Sequence, residues 1–234
     1  MTSIKQLVLP FFQSTQLNFE NFYIGENNLE LVESLQEWLG SDFPKVFYLW
    51  GDSGTGKTHL LNASLNSCLG PAIYLPLKEF EEIEPRVFDN LEKIDTVAVD
   101  DIDAIAGDNK LEAKLFDLLN KVILSEGKLI VTGRQHPNKQ CFKLNDLVSR
   151  LCSGLLYKVS LLADEERKKA LTLLSVKRGM SIEPKYIDYI MRHYQRDMKN
   201  LMLIIDKLDK VSLSEGKPVS LNLIKQVATD LKTY

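Results

Sequence analysis

The chain has 234 residues, 44% hydrophobic and 26% charged, which suits one good core with a smaller satellite domain and excludes a disordered composition. A formal net charge of −3 argues against DNA binding driven by the chain's own electrostatics, so contact with DNA is expected only through a partner. No apolar run approaches the roughly 18 residues of a membrane span, the start Met1-Thr2-Ser3-Ile4-Lys5 does not read as a signal peptide, and Cys68, Cys141 and Cys152, lacking C-x-x-C spacing, read as reduced thiols of a cytoplasmic protein.

Residues 1–14 read as a tail, Gln6-Leu7-Val8-Leu9-Pro10-Phe11-Phe12 followed by polar residues. Pro10 pushes Leu9 into an extended conformation, so no helix is expected there. Apolar positions at helical spacing predict a helix over 28–39. Val46 to Trp50 reads as a buried strand, and a helix is expected to start near His59. Further strands are expected at 72–75, 96–99, 129–132 and 155–159, with a helix over 110–124 between the second and third of these. Alternation of this kind predicts an α/β fold, a doubly wound and mainly parallel sheet. From about Leu161 only helices are expected. Asp164 can cap one running to Arg178, with Gly179 ending it. Pro184 suits the first turn of the next, over 184–194. A third is expected from Asp197 to Val211, and Ser220 can cap a last one to Lys232. The expected organisation is a tail (1–14), a nucleotide-binding α/β domain (15–160) and a small C-terminal helical lid (161–234).

Between strand 46–50 and its helix stands Gly51-Asp52-Ser53-Gly54-Thr55-Gly56-Lys57-Thr58, a complete G-x-x-x-x-G-K-[ST] loop. Its glycines let successive N–H groups point at one anion, and the helix N-terminus adds partial positive charge. Lys57 would reach the β- and γ-phosphates of a bound nucleotide, and Thr58 would hold Mg²⁺ through its hydroxyl. His59 belongs to the same signature and is expected to pack rather than react. Strand 96–99 delivers Asp100 and Asp101 at its C-terminal end, where open α/β sheets bind ligands. Asp100 would hold the Mg²⁺ water shell, and Asp101 would stand where a water-orienting carboxylate is placed. Asp103 reads as a capping or solvated carboxylate, and His136 and His193 as solvated histidines.

Together these residues resemble the DnaA branch of the AAA+ ATPases. The resemblance is carried by Phe19 to Asn27, by Gly51 to Leu61, by Asp100-Asp101-Ile102, by Phe116 to Asn120, by Ser149-Arg150-Leu151 and by Gln195-Arg196-Asp197-Met198. It implies an AAA+ fold, adenine nucleotide (ADP or ATP) with Mg²⁺, and enclosure of the base by Tyr23 and Ile24. It also implies an arginine finger at Arg150 acting in trans, and a nucleotide-sensing lid arginine at Arg196. An ion pair at Arg150 and a solvated helix face at Arg196 are the plainer alternatives. After strand 129–132 the branch usually carries an Asp; here Thr132 and Gly133 are followed by Arg134, and Asp101 is shorter than the usual Glu. Both departures point to weak hydrolysis in the chain's own site and to nucleotide as a regulatory ligand, with ADP in the active form.

No origin-reading helix-turn-helix is expected after the lid, and where DnaA carries a helicase-interaction domain stands Gln6-Leu7-Val8-Leu9-Pro10-Phe11. That segment is similar to the peptide by which bacterial proteins dock on the polymerase III sliding clamp, Leu7, Leu9 and Phe11 entering apolar pockets and Gln6 bonding the rim. An N-terminal strand packed on the core would use the same residues. The combination resembles the Hda family of regulatory inactivators of DnaA. That resemblance implies a negative regulator of replication initiation with the clamp and DnaA as partners. It would be cytoplasmic, reaching the nucleoid through the clamp, with homo-oligomers left open. A DnaC-like helicase loader with its own ATPase, or a clamp-independent initiator accessory, stands as the alternative.

Overall fold

In the computed structural model, residues 17–195, 197–216 and 218–232 are described; the predicted clamp-binding residues Gln6, Leu7, Leu9, Pro10 and Phe11, and Arg196, lie outside them. Strands β1 (Val46–Trp50), β2 (Ala72–Pro76), β3 (Thr96–Asp100), β4 (Lys128–Gly133) and β5 (Leu155–Lys158) form one parallel sheet in the order β2-β3-β4-β1-β5. Each is a short, nearly continuous apolar run because a parallel sheet is covered on both faces. Phe47, Leu49, Ala98 and Ile130 turn to one face, where they pack with Leu31, Leu35 and Trp38 of α1 (Leu29–Gly40) and Leu60, Leu61 and Leu65 of α2 (Lys57–Ser67). Val46, Tyr48, Val97, Val99, Leu129 and Val131 turn to the other, against α3 (Asn109–Leu124) and α4 (Asn145–Cys152). At about 1.5–3 kcal/mol for each fully buried large side chain, these two layers are the main source of the body's stability.

Four helices follow: α5 (Asp164–Lys177), α6 (Pro184–His193), α7 (Met198–Glu215) and α8 (Leu221–Lys232). They close a separate apolar cluster that includes Leu171, Ile187, Ile190, Leu201, Ile205, Leu208 and Ile224. Asp197 caps α7 by accepting from the Asn200 N–H at 3.0 Å, and Gly216, at φ +62°, ends it. The Ser220 hydroxyl accepts from the Leu223 N–H at 3.3 Å at the start of α8. Where the chain leaves the body for the lid, Ser160 is held by Asn28, which is buried. Its amide donates to the Ser160 carbonyl at 3.0 Å and accepts from the Ser160 N–H at 2.9 Å.

Three expectations need correction. Asp164 does not cap α5: the helix begins at Asp164 itself after Ala163, whose N–H donates to Glu166 at 2.8 Å, and Asp164 instead pairs with Arg167. Asp103 is neither a cap nor solvated, because the strand order places it between two cations. His136 is half-buried, edge-on to Trp50 at 5.9 Å, and its Nδ1 accepts from the Asn138 N–H. Helix α4 goes beyond the elements predicted. Only Leu147 and Leu151 of its eight residues are buried, and Leu144 at its N-cap has no capping side chain. Its start is held from another element: the buried Glu112 of α3 accepts from the Lys143 and Leu144 N–H groups at 2.8 Å each, and from Gly107 N–H at 2.6 Å. No helix among the described residues is long and apolar enough to cross a membrane.

Candidate functional site

The C-terminal ends of β1, β3 and β4 lie side by side, and the loop 51–58 follows β1 there. Gly51 N–H donates to the Gly133 carbonyl at 3.2 Å and Val159 N–H to Trp50 at 2.7 Å, strapping the loop to its neighbours. A Cβ at Gly51 would stand 2.4 Å from the Val159 carbonyl oxygen, and one at Gly56 (φ +99°) would stand 2.7 Å from the Phe22 ring. Only glycine fits these two positions. Thr55 is buried and its hydroxyl donates to Asp52 O at 3.0 Å, while Asp52 and Ser53 are exposed.

Lys57 is buried, and its ammonium donates to the carbonyls of Gly51 at 2.7 Å and Asp52 at 2.8 Å. An ammonium has three donors, so one remains for an anion in the loop. Burial lowers its pKa, with Asp101 and then Asp100 opposing the effect. The loop opens onto the first turn of α2, whose N–H groups lack intrahelical acceptors and favour negative charge. His59, one residue on, donates from Nε2 to the Asn18 carbonyl at 2.8 Å and meets the Phe22 ring edge-on at 5.3 Å. Burial lowers its pKa, which suits a neutral packing ring.

Asp100 is buried and surrounded by hydroxyls. Its Oδ2 accepts from Thr58 at 2.7 Å and from Tyr74 at 2.9 Å, and its Oδ1 accepts from Thr132. Burial, and then the Asp100 charge, push the Tyr74 phenol pKa up, so it stays a donor. Thr58 and Asp100 set hard oxygens side by side, a donor set that fits a largely hydrated Mg²⁺. Tyr74 and Thr132 go beyond the site residues predicted; the available signal is a hydroxyl inside an otherwise apolar strand. Asp101 takes a left-handed backbone (φ 55°, ψ 54°) and donates its N–H to Thr132 Oγ1 at 2.8 Å. Its carboxylate pairs with Lys78 at 2.8 Å. Asp103 takes Lys78 at 3.2 Å and Arg134 at 3.3 Å, so Arg134 is paired within the chain.

Between the loop and the lid runs the segment carrying Tyr23, half-buried, and Ile24, 41% exposed. Phe22 is seated on Gly56, and Gly25 is seated against Leu162 and Glu166 of the lid side. A Cβ placed on Gly54 would come within 3.7 Å of the Asp197 side chain at the N-terminus of α7, so the lid stands beside the phosphate loop. Arg150 is elsewhere. It sits in the last turn of α4, exposed, and takes part in no ion pair among the described residues.

The family profile described as the Hda lid domain matches residues 164–228, and that of the bacterial DnaA ATPase domain matches residues 78–158. A Haemophilus influenzae protein described only as uncharacterized is 36% identical over 228 residues, covering 95% of this chain and 98% of that one. The chain belongs to the Hda/DnaA-related AAA+ proteins. Its fold is that of DnaA domain III. The Thermotoga maritima domain superposes with a TM-score of 0.75 at 22% identity, covering 92% of this chain and 97% of that one. A replication initiator DnaA bound to AMPPCP and single-stranded DNA gives 0.72 at 24% identity over 83% of this chain, which spans 65% of that longer protein. An α/β AAA+ body with a C-terminal helical lid is thus common to this chain and those relatives.

Proposed function

We propose that this Hda/DnaA-related protein is a negative regulator of replication initiation whose catalytic arginine acts outside its own site. In this reading, loop residues Gly51 to Thr58 with His59 hold an adenine nucleotide, ADP in the active form. Tyr23 and Ile24 flank the base, Arg196 senses the nucleotide from the lid, and Thr58 with Asp100 holds Mg²⁺. Bound Mg²⁺ supplies charge neutralisation at the phosphates. Lys57 keeps one donor for the phosphates, and the hydroxyls of Tyr74 and Thr132 hold the Asp100 carboxylate in place by donating to it. The tail residues Gln6, Leu7, Leu9, Pro10 and Phe11 dock on the DNA-loaded sliding clamp, which brings the chain to DNA indirectly. Arg150 then enters the ATP site of a neighbouring DnaA and stabilises charge on the transferring γ-phosphoryl, an effect worth about 10³–10⁵ in rate for such fingers.

The observation that carries this reading is Arg150, exposed on α4 without an ion pair among the described residues, while Asp101 of the chain's own site is tied to Lys78. The test is DnaA ATP hydrolysis with DNA-loaded clamp. Arg150→Ala is expected to keep nucleotide and clamp binding and to abolish stimulation; a variant that still stimulates removes Arg150 from the mechanism. Joint replacement of Gln6, Leu7 and Leu9 by Ala is expected to abolish clamp pull-down. Turnover by the chain alone of about 1 s⁻¹ or more, the ordinary enzyme range, would favour a self-contained ATPase.

A further inference from the structure

Lys78 has no part in the function proposed above, yet it lies beside the phosphate site. The register of β2 on β3 sets Pro76 against Asp100, so the turn Leu77–Glu79 continues beside Asp101 to Asp103. There the Lys78 ammonium reaches Asp101 at 2.8 Å and Asp103 at 3.2 Å, and Arg134 holds Asp103 at 3.3 Å. Two cations and two carboxylates form one neutral cluster. The Asp101 main chain is held independently, by its left-handed conformation and by the N–H bond to Thr132. With its main chain bonded in this way, the Asp101 carboxylate turns chiefly about its side-chain bonds, and the 2.8 Å ion pair with Lys78 favours the orientation seen. Lys57 senses both the Asp101 charge and the opposing Lys78 charge, so the cluster is within electrostatic reach of the phosphate loop.

A carboxylate orients an attacking water by accepting its hydrogen bond, and positioning dominates phosphoryl transfer. An ammonium seated on that carboxylate occupies a lone pair and opposes its turning toward water. We infer that Lys78 is a built-in brake on ATP hydrolysis in this chain's own site, a positioning residue that acts by tethering Asp101. The inference deepens the function proposed above and rests on its reading of the loop as a nucleotide site. In the restrained reaction the water oxygen bonds to the γ-phosphorus as the bond to the bridging oxygen breaks. ADP leaves, and the water's proton is released with inorganic phosphate. Releasing the tether leaves the loop and the metal-holding pair unchanged and frees only the water-orienting group.

The test uses the full chain as wild type, K78A, K78Q, K78R, D101N and K78A/D101N. Titration with a fluorescent ADP analogue comes first: a wild type that binds no nucleotide would overturn the reading of the loop, and with it the inference. With binding retained, K78A and K78Q are expected to raise kcat about tenfold with KM changed less than about twofold, a modest fraction of what a positioned carboxylate contributes. K78R is expected to stay at the wild-type rate, and D101N in the K78A background to cancel the gain. Independently of turnover, the Tm losses of K78A and D101N are expected to be non-additive by about 1–2 °C, as for a coupled ion pair in a chain of this size. Unchanged turnover in both K78A and K78Q with nucleotide bound, additive Tm losses, or a gain that survives D101N would each overturn the brake.

Discussion

His59 illustrates how a residue inside a binding signature can serve packing. Its ring is half-buried edge-on to Phe22, and its Nε2 donates to the Asn18 carbonyl. Burial holds its folded-state pKa below the ordinary 6.5. The unfolded chain therefore binds the proton more readily, so the contribution is present above about pH 6.5 and is lost as pH falls below it. Urea unfolding between pH 7.5 and 5 is expected to show this loss in the wild type and a flatter profile in His59→Gln, which keeps a donor for Asn18 but cannot titrate. An unchanged slope would assign the acid sensitivity elsewhere. Asp103 and Arg134 make a related point. In isolation one reads as a cap or solvated carboxylate and the other as a departure facing phosphate, whereas in the fold they pair with each other. Their meeting depends on the registers of β3 and β4, which no local pattern encodes.

At the scale of elements, the strands and the longer helices follow from short-range signals: apolar runs of strand length, helical periodicity, Pro184 at a helix start and Gly179 past a helix end. Helix α4 has no such signals. Its first turn is anchored by Glu112, a fully buried carboxylate that joins Gly107, Lys143 and Leu144 across three segments. Removing it leaves partly buried N–H groups without their protein acceptor, at about 1 kcal/mol each. Glu112→Ala is expected to destabilise the fold by about 2–4 kcal/mol in denaturant titration. At a temperature where the variant is still folded, hydrogen exchange should rise in residues 143–152 before it rises in the sheet. Since Arg150 rides on α4, stimulation of DnaA in the proposed reaction should fall with it. Exchange confined to other segments would dissociate Glu112 from α4.

For the whole molecule the decisive contact is the one between body and lid. Asn28 satisfies both the N–H and the carbonyl of Ser160, while Glu26 N–H donates to Glu166 of α5 at 3.1 Å. Asp197 at the start of α7 stands beside Gly54 of the phosphate loop, close enough that a side chain added there would touch it. A ligand in that loop would therefore be bounded by the lid, and loosening the joint should shorten its residence. Asn28→Ala is expected to cost about 2 kcal/mol by leaving two partly buried backbone groups of Ser160 without their partner and to raise the dissociation rate of a fluorescent ADP analogue several-fold. Stopped-flow displacement measures it; an unchanged rate would detach lid position from nucleotide retention.

The amino-acid sequence by itself determined the phosphate loop in its strand–loop–helix setting, the alternation that makes a parallel sheet and the change to a helical lid. All of these rest on interactions between residues near one another in the chain. Tertiary structure decided which side chains meet at the strand ends. Only strand order and register bring Tyr74, Thr132 and Lys78, from β2, β4 and the turn after β2, onto Asp100 and Asp101 at the end of β3. Such pairings join residues tens of positions apart and are set by sheet packing as a whole, which is why the loop motif was legible in the sequence while the Lys78–Asp101 ion pair beside it was not.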